Sequence, residues 1–132
     1  METATVKTYT TKEANEKITP HMRVKEFACK DGSAIIFVDN YMVQILEMVR
    51  TKIGKPIIIT SGYRTPAHNA KVGGAEYSYH MRGMAVDIRV DGVTPQKLAK
   101  VIDNIVPDAC GIIVYNNWVH FDTRDKKYRK GV

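Results

Sequence analysis

His80, Asp87 and His120 are the residues of this 132-residue chain whose types and spacing point most directly to chemistry. His80 precedes Asp87 by seven residues in SYHMRGMAVD, with Gly83 between them to let the chain turn. Imidazole nitrogens and carboxylate oxygens are ligands for zinc, and a catalytic zinc takes three such groups and keeps a fourth position for water. Spacing alone does not establish a metal, because a histidine beside a glycine is commonly an ordinary surface or core residue. Strand geometry is what joins the three. From Gly83 to Val90 the residues alternate, with Met84, Val86, Ile88 and Val90 on one face and Ala85, Asp87 and Arg89 on the other. The same alternation in WVHFD sets Trp118, His120 and Asp122 on one face. Asp87 and His120 thus fall on the polar faces of strands whose other faces are apolar, and all three residues can meet at one edge of a sheet.

The elements that must position them are legible in outline. Met42, Ile45, Leu46 and Val49 recur at helical spacing, with Asp39 or Asn40 as cap and Gly54 as stop, which predicts a helix over 39–52. Pro56 leads into Ile57, Ile58, Ile59 and Thr60, a β-branched run that reads as a buried strand. Thr65-Pro66 opens a short helix that Gly73-Gly74 ends, and an irregular loop continues to Arg82. Thr94-Pro95 starts a further helix whose Leu98, Val101, Ile102 and Ile105 form its buried stripe. CGIIVY and WVHFD read as a hairpin around Asn116-Asn117. This order does not repeat as βαβ units, so the fold class is α+β, a small mainly antiparallel sheet with flanking helices. Residues 1–132 form one domain, residues 1–20 are expected as a loosely anchored arm, and 125–132 as a solvated basic tail.

Composition narrows the function classes. With 44% hydrophobic and 26% charged residues the chain is that of a globular protein. No apolar run approaches the roughly 20 residues that span a bilayer, which argues against membrane insertion. The first 20 residues offer no signal-peptide core, so synthesis in the cytoplasm is expected, with any action at a wall needing another exit route. Cys29 and Cys110 lack a C-x-x-C spacing and are expected as two reduced, buried thiols. The formal net charge of +6 favours polyanions, among them nucleic acid and the anionic wall and lipid surfaces of bacteria. Charge alone gives no reason to expect a specific nucleic-acid partner. A monomer is the expected state.

SGYRTPAHNAKVGGAEYSYHMRGMAVDI and WVHFDTR resemble the signature of the M15 peptidases, which include D-Ala-D-Ala carboxypeptidases and phage endolysins and share their fold with hedgehog signalling domains. The resemblance runs from EFACKDG to about Arg124, and its most specific part is Ser78, His80, Gly83, Ala85 and Asp87. It implies that His80, Asp87 and His120 hold Zn2+ and that Arg64, in SGYR, faces the substrate or the developing oxyanion; an arginine there could equally pair with a surface carboxylate. Relatives often carry a Glu three residues, or a His two residues, before the last ligand. Asn117 and Trp118 stand there instead, and neither takes a proton from water. Asp122 is the nearest titratable candidate for a general base, with Glu76 another, while the alternative for Asp122 is a carboxylate that orients a ligand. Tyr63, Tyr79, Tyr115 and Trp118 are candidates for a groove as well as for sheet packing. His68 is expected to cap or pack the short helix and His21 to be a solvated loop residue.

The function this implies is a zinc-dependent peptidase cutting an amide in peptidoglycan stem peptides or cross-links, as an endopeptidase or D,D-carboxypeptidase. Small size, basic charge and the absence of a leader suggest a phage or prophage lysin, released by a holin or carried on a virion. The alternative is a non-catalytic module, stabilised by zinc, that binds cell-wall peptides.

Overall fold

In a computed structural model of the chain, which describes residues 5–132, the expected elements form and five further strands join them. In chain order the strands are β1 (Val6–Thr10), β2 (Lys17–Thr19), β3 (Met22–Arg23), β4 (Ile35–Asp39), β5 (Ile58–Ser61), β6 (Ala85–Arg89), β7 (Gly111–Val114), β8 (Val119–Asp122) and β9 (Tyr128–Lys130). The helices are α1 (Asn40–Ile53), α2 (Pro66–Lys71) and α3 (Pro95–Ile105). No helix is long and apolar enough to cross a membrane.

The helix ends follow from their sequence. The Asp39 side chain accepts the Tyr41 N–H at the start of α1, and Gly54 closes that helix at φ 73°, a left-handed conformation that costs glycine little. Thr65 and Thr94 cap α2 and α3, each with proline in the first turn. The stripe of α1 and that of α3 bury against the sheet: Met42, Leu46, Leu98 and Ile102 share one core with Val86, Ile88, Ile112, Val119 and Phe121. Each fully buried aliphatic or aromatic side chain contributes about 1.5–3 kcal/mol relative to exposure.

The main sheet has the order β5-β6-β8-β7-β9. Its neighbours run antiparallel except β7 and β9, which are parallel. The α+β class with a mainly antiparallel sheet is therefore the fold observed. One face of this sheet carries the core, and the other presents Asp87 and His120.

The ends of the chain depart from expectation. Within 1–20, residues 1–4 lie outside the described residues, but Val6–Thr10 is not a loose arm: it pairs antiparallel along the whole of β4, from Val6 opposite Asp39 to Thr10 opposite Ile35. The segment reads as polar because it is one strand of a two-stranded ribbon, where Lys7 and Thr8 are exposed and no residue is fully buried. Residues 125–132 are not simply a solvated tail either, since β9 adds to the sheet edge. Arg129 anchors it, donating to Asp103 Oδ1 at 2.7 Å and to the carbonyls of Val106 at 2.7 Å, Ala109 at 3.0 Å and Cys110 at 2.6 Å. A basic residue here satisfies carbonyls left after α3 instead of facing water. Cys29 and Cys110 are both unpaired and buried.

Candidate metal centre

Each of the three candidate ligands is held by a different device. His80 lies on a 3-10 turn, Tyr79–Arg82, which Ser78 caps by accepting the His80 N–H at 3.1 Å. Its Nδ1 lies 2.8 Å from the Gly62 carbonyl, which fixes that nitrogen as the donor and leaves Nε2 as the lone pair turned inward. Gly62 approaches so closely that a Cβ there would lie 2.7 Å from the Phe27 Cα. Gly83 ends the turn at φ 72°, and a Cβ on it would sit 2.4 Å from the Phe37 carbonyl oxygen. The serine and glycine of the motif thus shape the turn that carries the histidine.

Asp87 and His120 are direct partners in the β6–β8 register. Asp87 Oδ1 lies 3.4 Å from His80 Nε2 and 3.3 Å from His120 Nδ1. One ligand atom from each of the three residues falls within 4.8 Å of the others. Two imidazole lone pairs and one carboxylate oxygen, with the opposite ring nitrogens already committed, form a donor set that fits zinc.

The commitment on His120 is Asp122, whose Oδ2 accepts from His120 Nε2 at 2.7 Å. Asp122 is fully buried and also accepts from Arg124 through Nε at 2.8 Å and through the terminal nitrogen at 2.7 Å. Both of its oxygens are engaged behind His120, away from the open side of the site. As a general base for water it is therefore misplaced, and its geometry is that of the alternative, a carboxylate that orients a ligand. Glu76 is exposed on its loop and does not line the cavities beside the site. Apart from Asp87, no carboxylate among the described residues lines either of those cavities.

Electrostatics follow the contacts. Burial works to raise the Asp87 carboxyl, but the His120 and His80 rings beside it outweigh that and hold the group well below the usual carboxylate range. Burial likewise opposes ionisation of Asp122, and the bonds from Arg124 and His120 bring it down to about 2. For His120, burial pulls downward while Asp122 and Asp87 pull harder upward, leaving it raised.

Arg64 does reach the centre. It donates to Asp87 Oδ2 at 3.2 Å, to Ser61 Oγ at 3.1 Å and to Asn69 Oδ1 at 3.2 Å. It pairs with the largely buried Asp87 carboxylate, not a surface one, and also borders the groove. A cavity of about 460 Å³ beside the ligands is lined by Tyr77, Tyr79, Tyr115, Trp118 and Arg124, and a second of about 470 Å³ by Lys30, Thr60 and His68. Arg64, Val72, Asp87 and Trp118 border both. Tyr115 and Trp118 stack with ring centroids 4.5 Å apart. Tyr63 is core instead, edge-on to Phe37 at 5.2 Å. His68 faces the second cavity as well as belonging to α2, and His21 is paired with Glu47 at 2.6 Å and lines neither cavity.

Two contributors escape a reading of the sequence. Asn69 is buried, orients Arg64, and donates to the Ala75 carbonyl at 2.8 Å. Its signal was the adjacent Gly74, where a Cβ would lie 2.0 Å from the Asn69 Oδ1. Arg124 stands inside WVHFDTR but only the fold shows that it grips Asp122.

A family model described as Peptidase M15 matches residues 20–122. The chain is 29% identical over 103 residues to the Probable peptidoglycan L,D-endopeptidase MepK of Haemophilus influenzae, covering 72% of this chain and 55% of that protein. It is 31% identical over 74 residues to the Peptidoglycan L,D-endopeptidase MepK of Escherichia coli K12, covering 52% of this chain and 41% of that protein. The chain spans about half the length of the curated relatives it matches.

Proposed function

The chain belongs to the M15 peptidase family, and on that footing we propose that it is a zinc-dependent endopeptidase that hydrolyses an amide bond in bacterial peptidoglycan peptides. The observation that carries the proposal is the convergence of His80 Nε2, His120 Nδ1 and Asp87 Oδ1 beside a groove that Arg64 borders. When bound, zinc would supply Lewis acidity, polarising a carbonyl and making water more acidic. The chain's own residues do the rest. Gly62 and Asp122 fix the two imidazole tautomers, and Arg64 holds a cation where negative charge grows on the scissile carbonyl oxygen. Trp118 with Tyr77, Tyr79 and Tyr115 walls the groove and restricts water around the reacting amide.

An endopeptidase is favoured over a carboxypeptidase because the groove continues past Arg64 and Asp87 into both cavities, giving room for substrate residues on each side of the bond. The relatives named L,D-endopeptidase support an L,D linkage as the bond cut. The test is digestion of purified peptidoglycan with and without zinc, with products read by mass spectrometry. Cleavage within cross-links or stem peptides, abolished by chelation and by His80→Ala, is the expected result. Full zinc occupancy without cleavage of any wall preparation would overturn it in favour of a zinc-stabilised binding module.

A further inference from the structure

We propose that Arg124 is a positioning residue for the metal centre, bracing His120 through Asp122 and tying the strand that carries His120 to the turn that carries His80. The inference rests on the zinc reading above and deepens it.

The brace is a fork. Arg124 places two nitrogens on the two Asp122 oxygens, at 2.8 and 2.7 Å, and its own backbone N–H reaches Asp122 Oδ1 at 3.2 Å. A bidentate arginine fixes the plane of a carboxylate, which a lysine does not. That plane in turn sets the direction of the 2.7 Å bond to His120 Nε2, and with it the direction of the Nδ1 lone pair. The same guanidinium lies 4.9 Å from the Tyr79 ring centroid and 4.7 Å from that of Tyr128. Tyr79 adjoins His80, so one cation touches both histidine-bearing segments.

The surroundings are shaped for this fork. Gly111 pairs with Asp122 on one side and with Tyr128 on the other. A Cβ on Gly111 would lie 2.5 Å from Asp122 Oδ2 and 2.6 Å from Arg124 Nε, so a side chain there would displace both. Cys110, the one non-glycine residue with positive φ among the described residues, turns its N–H to the Arg124 carbonyl at 3.1 Å and its carbonyl to the Tyr128 N–H at 2.9 Å. Strand β9 thereby brings Tyr128 onto Arg124, and the basic C-terminal segment becomes part of the support of the metal centre.

Arg124 also borders the tyrosine-lined cavity, so a direct substrate contact is the competing role. The two are separated by measuring zinc alone. Affinity would be read by competition with a chelating dye, ligand geometry by the visible spectrum of the cobalt-substituted full chain, and folding by thermal melting. Arg124→Gln and Gly111→Ala are expected to weaken zinc by about 10–100-fold and to alter the cobalt bands. Arg124→Lys should recover only part of the loss, and Tyr128→Phe, which keeps the ring, should match wild type. A folded Arg124→Gln with wild-type zinc affinity and cobalt spectrum would overturn the proposal, and loss of cleavage alone in that variant would assign Arg124 to the substrate. If Gly111→Ala does not fold, the arginine series decides. Wild type that binds zinc but cleaves no peptidoglycan removes the peptidase proposal and leaves this one intact, whereas wild type that binds no zinc removes both.

Discussion

Asp87 divides its carboxylate between two tasks, turning Oδ1 to both histidines and Oδ2 to Arg64 at 3.2 Å. The arginine that would meet the substrate is thus registered on the same residue that would hold the metal. A shift of either is felt by the other, and Asn69 and Ser61 pin the arginine from behind.

Arg64→Met should fold and still bind zinc, because none of the three ligand atoms belongs to Arg64. Its cleavage of peptidoglycan should fall by about 10²–10³ in kcat, the usual loss when one donor to a developing oxyanion is removed. Rates of muropeptide release under saturating zinc check this.

Added zinc should raise the melting temperature of wild type. At about 100-fold excess over Kd the stabilisation is about 2.7 kcal/mol. His80→Ala, Asp87→Ala and His120→Ala should each lose most of that rise, and an equal rise in all three variants would exclude this site as the one that binds.

Gly83→Ala and Gly54→Ala form a matched pair, with φ of 72° and 73°. Alanine at Gly54 meets nothing within 4 Å and should cost about 1–2 kcal/mol, the left-handed penalty alone. Alanine at Gly83 meets the Phe37 backbone at 2.4 Å and should cost several kcal/mol more or prevent folding. Urea unfolding of the two variants side by side reads the difference.

Cys110 is held in its thiol form: burial pushes it up to about 11, with Asp122 adding in the same direction. A group whose pKa is raised by folding contributes stability that is complete below the unfolded value of 9.0 and is lost as pH climbs through the folded value. Between pH 9 and 11 wild type should therefore lose about 2 kcal/mol through this residue. Cys110→Ala should show a shallower decline over the same window, by urea unfolding at each pH.

What could be read before folding was whatever is local. Helix α1 is visible in Asp39, Gly54 and the apolar stripe between them, and the opposing faces of β6 in its alternation, because period and caps are properties of a short window. The cluster of His80, Asp87 and His120 was legible through its motif. Strand β1 was not, since Val6–Thr10 has little apolar alternation and its partner β4 begins 25 residues after β1 ends. Strand β9 was hidden for the same reason, a charged segment whose parallel partner β7 is remote and whose Arg129 satisfies carbonyls from the end of α3 onward. The role of Asp122 could be narrowed by strand alternation only to the same side as His120. Choosing between base and brace required Arg124, which the sequence places two residues away but does not orient.

The three candidate ligands differ in how they are mounted. Asp87 and His120 face each other across a backbone ladder, so their separation is fixed as long as the sheet stands, while His80 rides on a short turn held by Ser78, by the Gly62 carbonyl and by the Arg64 N–H to its own carbonyl at 3.0 Å. A three-point grip with one hinged jaw releases its cargo by opening that jaw. Residence time of an ion would then be governed by fraying of the Tyr79–Arg82 turn, at a free energy well below that of global unfolding, and exchange could proceed with the sheet intact.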